Sequence, residues 1–255
     1  MANSKSWLKI CNDYKILQHN FNKSPFLLSA TQIKKSCQGF KKTSEKEVRI
    51  LCKQDTRKDR PDIFIDNNLF LLPVKNGFYN IIKGEGYVDI PKVNTKTKIY
   101  PSKLDFVLET SKIGNSEMQY LDYAYASSLI RTFTNDPSLV LTIRGRKYTP
   151  SFSFNANKQI IHVKSVQTEV DAGYEGTAQV VLIEAKAFAI TNVIIRQLFY
   201  PYRQWQAMTK KKVTTLFFEK MLNNNAYSIW QFEFTDFNDY NSIKLVRSER
   251  FEIEE

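Results

Sequence analysis

Asp171, Glu184 and Lys186 are the residues of this chain whose types and spacing suit chemistry on a phosphate ester. They lie within VQTEVDAGYEGTAQVVLIEAKAF, residues 166–188, which reads as two β-prone runs joined by a turn. The apolar run Val180-Val181-Leu182-Ile183 leads directly into Glu184-Ala185-Lys186. A strand of that pattern is mostly buried, yet it delivers an acid and an amine, two residues apart, onto one face. In an antiparallel pair the numbers of opposed residues have a constant sum, and opposed side chains share a face. With Asp171 opposite Glu184, Glu169 falls opposite Lys186, Thr177-Ala178 forms the turn, and the two carboxylates stand about 5 Å apart at Cβ. A slip of one residue sends Asp171 and Glu184 to opposite faces and removes the site. Thr-Ala is not a strong hairpin turn, so the turn does not by itself enforce that register.

Hydrolysis of a phosphodiester needs an attacking hydroxide, neutralisation of charge on the phosphoryl oxygens and stabilisation of the leaving alkoxide. Two carboxylates suit Mg²⁺, which keeps several waters and takes one or two protein carboxylates besides phosphate oxygens. A lysine beside the metal can offset phosphate charge, and can orient or deprotonate the attacking water if its pKa is lowered. A Glu-x-Lys alone is as readily a structural ion pair on a sheet face. Asp171 at hairpin spacing and the apolar lead-in single this one out.

The Asp…Glu-x-Lys pattern resembles the PD-(D/E)XK nuclease superfamily. Residues 167–205, with GNSE at 114–117 and IRGR at 143–146, are similar to a group of type II restriction endonucleases. The resemblance covers about residues 60–250 and is strongest in the last third. It implies a four-stranded mixed sheet flanked by helices, Mg²⁺ as cofactor and DNA phosphodiester hydrolysis. By it Asp171 is the first acid, Glu184 the second and Lys186 the catalytic amine. No Pro precedes Asp171, and Glu169 and Glu175 share its strand parity, so the identity of the first metal-binding acid stays open among the three.

Residues 190–208, ITNVIIRQLFYPYRQWQAM, carry Val193, Ile194 and Leu198 at helix-like intervals and put Arg196, Gln197 and Arg203 on more polar positions aimed toward the site, the two arginines as DNA contacts. The spacing predicts a helix packed over the sheet, with Pro201 ending or kinking it. It resembles the Gln-bearing helix after the Glu-x-Lys strand in several of these nucleases, which makes Gln197 a site-supporting residue. Tyr200 and Tyr202 read equally as site residues or as core. Residues 116–133 read as a further helix, capped by Ser116, with Glu117 in its first turn. In the nucleases that this chain resembles, such a helix can add an acid to the metal site; helix capping explains Glu117 as well. Residues 140–147, 152–163 and 227–253 read as strands, with Arg144 and Arg146 on one face as phosphate contacts. Residues 96–103 read as a loop.

Charge points to a polyanion. Residues 1–60 carry 14 Lys/Arg against 5 Asp/Glu, which places +9 of the chain's net +11 in its first quarter. DNA binding explains this economically, with Lys34, Lys35, Lys41 and Lys42 as contacts; a solvated surface is the competing explanation. Ser29 and Gln32 spell a capping box for a helix through about Cys37, and Ser44 and Glu47 another for a helix through about Lys53. Asn76-Gly77 between β-prone runs over residues 69–82 signals a hairpin. Helices followed by a hairpin suggest a winged helix, against a helical cap with no role on DNA.

At 255 residues and 42% hydrophobic content the chain can bury a core. It has no apolar run of about 18 residues and no signal-peptide core at its start, so the expectation is a protein of the prokaryotic cytoplasm with no membrane contact. Cys11, Cys37 and Cys52 lack C-x-x-C spacing, and His19 and His162 are the sole histidines, which argues against structural zinc and histidine-based nucleases. The expected architecture is an α/β PD-(D/E)XK nuclease domain over 91–255 with a smaller basic region over 1–90. The expected function is a type II restriction endonuclease acting on double-stranded DNA, dimeric on its site, with a companion methyltransferase for the same sequence. A structure-specific repair or recombination nuclease and a non-enzymatic winged-helix regulator stand beside it.

Overall fold

A computed structural model of the chain describes residues 3–221 and 226–254. In the first third, α1 (Ser4–Asp13), β1 (Phe26–Ser29), α2 (Ala30–Cys37), the single turns α3 (Thr43–Lys46) and α4 (Val48–Leu51), and α5 (Asp62–Asp66) precede the hairpin β2 (Leu69–Lys75) and β3 (Phe78–Lys83). Ser29 and Gln32 form the capping box read from the sequence: the Ser29 hydroxyl accepts from Gln32 N–H at 3.2 Å and Gln32 Oε1 accepts from Ser29 N–H at 2.8 Å. The second one does not form. Helical structure starts at Thr43 and breaks at Glu47, whose extended backbone redirects Val48 and Leu51 into the core. The hairpin turns at Asn76-Gly77, where Gly77 takes the positive φ of 73° that its missing Cβ permits. β3 also pairs with β1, giving the sheet order β1-β3-β2.

The rest of the described chain contains β4 (Tyr87–Asp89), β5 (Lys98–Pro101), α6 (Glu117–Ala126), α7 (Leu129–Thr134), β6 (Val140–Tyr148), the hairpin β7 (Phe152–Ala156) and β8 (Gln159–Val163), β9 (Gln167–Glu175), β10 (Gln179–Lys186), β11 (Asn192–Ile194), α8 (Arg196–Gln206), β12 (Lys212–Met221), β13 (Ala226–Phe234) and β14 (Ile243–Glu254). Seven of these strands form one mixed sheet in the order β5-β14-β13-β12-β10-β9-β6. β10 and β12 are parallel, as the α8 crossover requires; β14 and β5 are parallel too, and the other neighbours are antiparallel. One face carries Ala172, Val181, Ile183, Leu216 and Phe218 and packs under α6 and α7 through Leu121, Ala124 and Ile130. The opposite face packs against Leu198 and Phe199 of α8 around Phe217 and Trp230. The fold is thus mixed α/β, with a large mixed sheet flanked by helices. Among the described residues no helix is long and apolar enough to cross a membrane.

Several elements differ from the sequence reading. Asn192–Ile194 is a strand paired with β4, so the helix starts only at Arg196; Val193 and Ile194 are β-branched and fill a core from a strand as well as from a helix. α8 runs through Pro201, and what the proline removes is the bond to the Gln197 carbonyl. Ser128, at φ 66°, splits residues 116–133 into α6 and α7. Lys98–Pro101 is an edge strand rather than a loop, paired with β14. Residues 152–163 are a two-stranded hairpin apart from the large sheet.

Candidate active site

The β9–β10 hairpin holds the register expected from the constant sum: Glu175 pairs with Val180, Tyr174 with Val181, Gly173 with Leu182 and Ala172 with Ile183. Gly176 N–H donates to the Gln179 carbonyl at 2.8 Å across Thr177-Ala178. That weak turn is braced from outside, with Ser138 Oγ accepting from Thr177 N–H at 2.9 Å and Asp136 accepting from the Gln179 amide at 3.1 Å. At the far end the ladder gives way to side chains. Asp171 Oδ2 accepts from Ala185 N–H at 2.7 Å, which pins the first acid to the strand that carries the second.

Lys186 Nζ lies 2.5 Å from Glu184 Oε1 and 3.0 Å from the Ala185 carbonyl. Glu117, in the first turn of α6, accepts from Ala187 N–H at 3.2 Å, and Ser116 caps that helix by accepting from Gln119 N–H. Asp171, Glu184, Lys186 and Glu117 therefore meet where β10 ends. Glu184 is only 9% exposed. Burial raises its carboxyl, Lys186 pulls it part of the way back and Asp171 adds to the rise, which together leave it at about 7. Asp171 is raised by burial as well, against the Ala185 N–H bond and Lys186. Burial works to lower the Lys186 ammonium, but Glu184, with Asp171 and Glu117 behind it, carries it above its ordinary value. The lowered pKa that a water-deprotonating lysine needs is thus reversed: Lys186 is a paired ammonium.

The other expected residues divide. Glu169 is exposed and forms an ion pair with Arg146 across β6 and β9 at 3.3 Å, while Lys186 pairs with Glu184 rather than with Glu169. Glu175 is four residues from Asp171, at the turn end of β9, and pairs with Lys211 at 2.5 Å; it is not at the site. Arg144 forms an ion pair with Asp122 of α6 and lies close enough to Asp171 to feel its charge. Next to it Gly145, at φ 77°, occupies a shift in the β6–β9 register, a bulge of the kind that re-aims side chains. Gln197 lines a small cleft with Glu169, Glu184, Leu182, Pro201 and Thr215. Arg196 pairs with Asp55 of the N-terminal third at 3.9 Å. Lys34, Lys35, Lys41 and Lys42 are exposed on and after α2.

Arg203 requires a correction. It is 5% exposed, donates to the Ser153 and Phe237 carbonyls at 3.1 and 2.9 Å, and stacks 3.9 Å from the Phe237 ring centroid, so it is a packing residue with no path to a phosphate. Tyr200 is likewise buried, donating to the Pro73 carbonyl at 3.0 Å, and Tyr202 stacks on Phe234. Thr215, Asp122 and Asp55 were not legible as site neighbours. Thr215 is one of two threonines in a plain strand, and the two aspartates are far from the motif in sequence.

Among the described residues no group of three or more His, Cys, Asp or Glu side chains is gathered into a metal cage. A hydrated Mg²⁺ asks less of the protein, one or two carboxylates with the remaining positions on water and substrate. Asp171 and Glu184 fit that demand, and the cleft beside Glu184 also holds Gln197 Oε1 and Thr215 Oγ1, which have no hydrogen-bond partner among the described residues.

The chain belongs to the family described as a domain of unknown function, DUF6997, which matches residues 82–252. Residues 4–81 match a second family described in the same way, DUF6996, and the two matches meet inside β3. No curated protein and no solved structure matches the chain.

Proposed function

We propose that this protein is a Mg²⁺-dependent type II restriction endonuclease. The observation that carries the reading is the Asp171–Ala185 N–H bond beside the Glu184–Lys186 pair, which gathers two acids and an amine at the end of one buried strand. The sequence resemblance implies a four-stranded mixed sheet, and the observed sheet has seven strands; the neighbouring strands β6, β9, β10 and β12 within it, with the parallel pair β10–β12 and helices on both faces, support the reading. Asp171 and Glu184 would hold the ion, with Glu117 within reach of the same strand end. The ion would supply charge neutralisation and an acidified water.

The protein's own side chains supply the rest. Burial makes the two carboxylates costly to ionise without a cation, which favours a divalent ion over bulk solvent as their partner. Lys186, charged, offsets phosphate charge and orients water as a donor. Arg144 and Arg146, each tied to an acid on the rim, can exchange those acids for phosphate. The exposed lysines of α2 and the following loop, on a unit in which α1, β1 and the helices α2 to α5 precede the β2–β3 hairpin as in a winged helix, provide sequence-independent grip on duplex DNA. A two-fold dimer would set one centre on each strand.

The test is digestion of plasmid DNA with and without Mg²⁺. Discrete bands that vanish in Glu184→Ala, with duplex binding kept, support the reading. Retained cutting by Glu184→Ala sinks it, and cutting confined to branched or damaged DNA moves the same chemistry to repair.

A further inference from the structure

Thr215 of β12 is directly opposite Leu182 of β10, on the face that carries Glu184. It is 3% exposed, and its hydroxyl has no partner among the described residues; nor does Gln197 Oε1 at the start of α8. Both residues and Glu184 line one small cleft of about 10 Å³, walled otherwise by Val170, Leu182, Leu198 and Pro201, with Glu169, tied to Arg146, at its outer edge. That volume admits a single water and nothing larger. Two buried polar atoms left unsatisfied at one spot are rare, because each costs the desolvation of a hydrogen-bonding group.

The hydrogen-bond arithmetic closes with one molecule. Gln197 Oε1 only accepts, a Glu184 carboxyl oxygen can accept in either protonation state, and the Thr215 hydroxyl can donate. A water there gives one hydrogen to Gln197, the other to Glu184, and accepts from Thr215. Pro201 contributes by deleting the helical bond to the Gln197 carbonyl, which leaves this turn of α8 looser and able to adjust to the water.

We propose that Thr215 and Gln197 hold one buried water against Glu184, and that Thr215 is thereby a positioning residue for this acid. Lys186 fixes the Glu184 carboxylate through its ion pair and the water fixes it from the cleft. The consequence for cleavage rests on the nuclease reading; the water site itself does not. Val in place of Thr215 keeps the shape and removes the donor, whereas Ser keeps the donor.

High-resolution crystal structures of the full chain test the site. Wild type and Thr215→Ser should show one ordered water within hydrogen-bond distance of residue 215 Oγ and Gln197 Oε1, and Thr215→Val should lack it. Plasmid cleavage then tests the role: Thr215→Val should lower kcat about tenfold with KM within about twofold, and Thr215→Ser should restore it. If Thr215→Val does not fold, Gln197→Met takes its place with the same expectation. A cleft without water in the wild-type crystal, or wild-type kcat in a folded Thr215→Val, overturns the proposal. A wild-type protein that cuts no DNA refutes the nuclease reading alone, and the crystals still decide the water.

Discussion

Two hairpins of this molecule are both buried, and they use burial in opposite ways. In β2–β3, Leu69, Leu71 and Ile81 face the helices of the N-terminal third, while Phe70, Leu72, Val74 and Ile82 face the core around Phe154 and Phe199. Apart from Asn80 the side chains buried on both faces are apolar, so the hairpin joins the two family-matched segments through hydrophobic contact on both sides. β9–β10 begins the same way, with Val180, Val181, Leu182 and Ile183 buried, and then turns to the buried Glu184 and the partly buried Lys186. There burial opposes charge instead of gaining from contact. The difference teaches where this fold is stabilised and where it spends stability: a buried ion pair is weak evidence for stability, and its retention at a strand end points to use.

The largest test of this contrast is chemical. Asp171→Ala and Glu184→Ala should each lower DNA cleavage by at least about a hundredfold in folded protein, measured by single-turnover digestion. A folded variant with near-normal turnover would make the β9–β10 end as structural as β2–β3.

Next in size is the joint. Leu72→Ala should lower unfolding free energy by about 2–5 kcal/mol, followed by denaturant titration, and the chain should still unfold in one transition because the hairpin belongs to both cores. Two separated transitions in the wild type would show the two regions to be independent. Deletion of residues 1–60 is no test of DNA grip, since it would strip one face of this hairpin.

The double variant Glu184→Gln/Lys186→Met should abolish cleavage and raise stability by about 1–4 kcal/mol. Its sign with pH follows from the raised Glu184 carboxyl. Between 4.5 and about 7 the folded wild type holds a proton that the unfolded chain has released, so wild-type stability falls as pH rises across that window. The gain of the double variant should therefore grow from pH 4.5 to 7, read as melting temperature. A variant less stable at every pH would mean that the pair holds the fold.

The smallest effect belongs to the basic surface. Replacing Lys34, Lys35, Lys41 and Lys42 with Ala should leave melting temperature nearly unchanged and flatten the salt dependence of duplex binding by roughly 0.9 per lysine that touches phosphate. An unchanged slope would make these lysines a solvated surface only.

What the sequence determined by itself is local. Alternation along β9 and along β10 states which residues of each strand share a face, and the pairing that sets Asp171 opposite Glu184 is held from outside the hairpin by Ser138 and Asp136. The Ser29–Gln32 box, the Ser116 cap and the Asn76-Gly77 turn each satisfy backbone groups within a few residues, and such interactions are complete before any distant segment arrives. Tertiary structure decided what depends on a partner far along the chain. Asn192–Ile194 is a strand because Tyr87–Asp89 lies beside it, and Lys98–Pro101 because β14 does. Arg203 looked like a polar position on a helix and is enclosed by Phe152, Phe199 and Phe237, which no helical period reveals. Thr215 comes to Glu184 only through the parallel pairing of β10 with β12, a contact that bridges more than thirty residues and leaves no pattern in either strand. Hydrophobic periodicity states which face is buried; which neighbours meet there is set by how the faces pack.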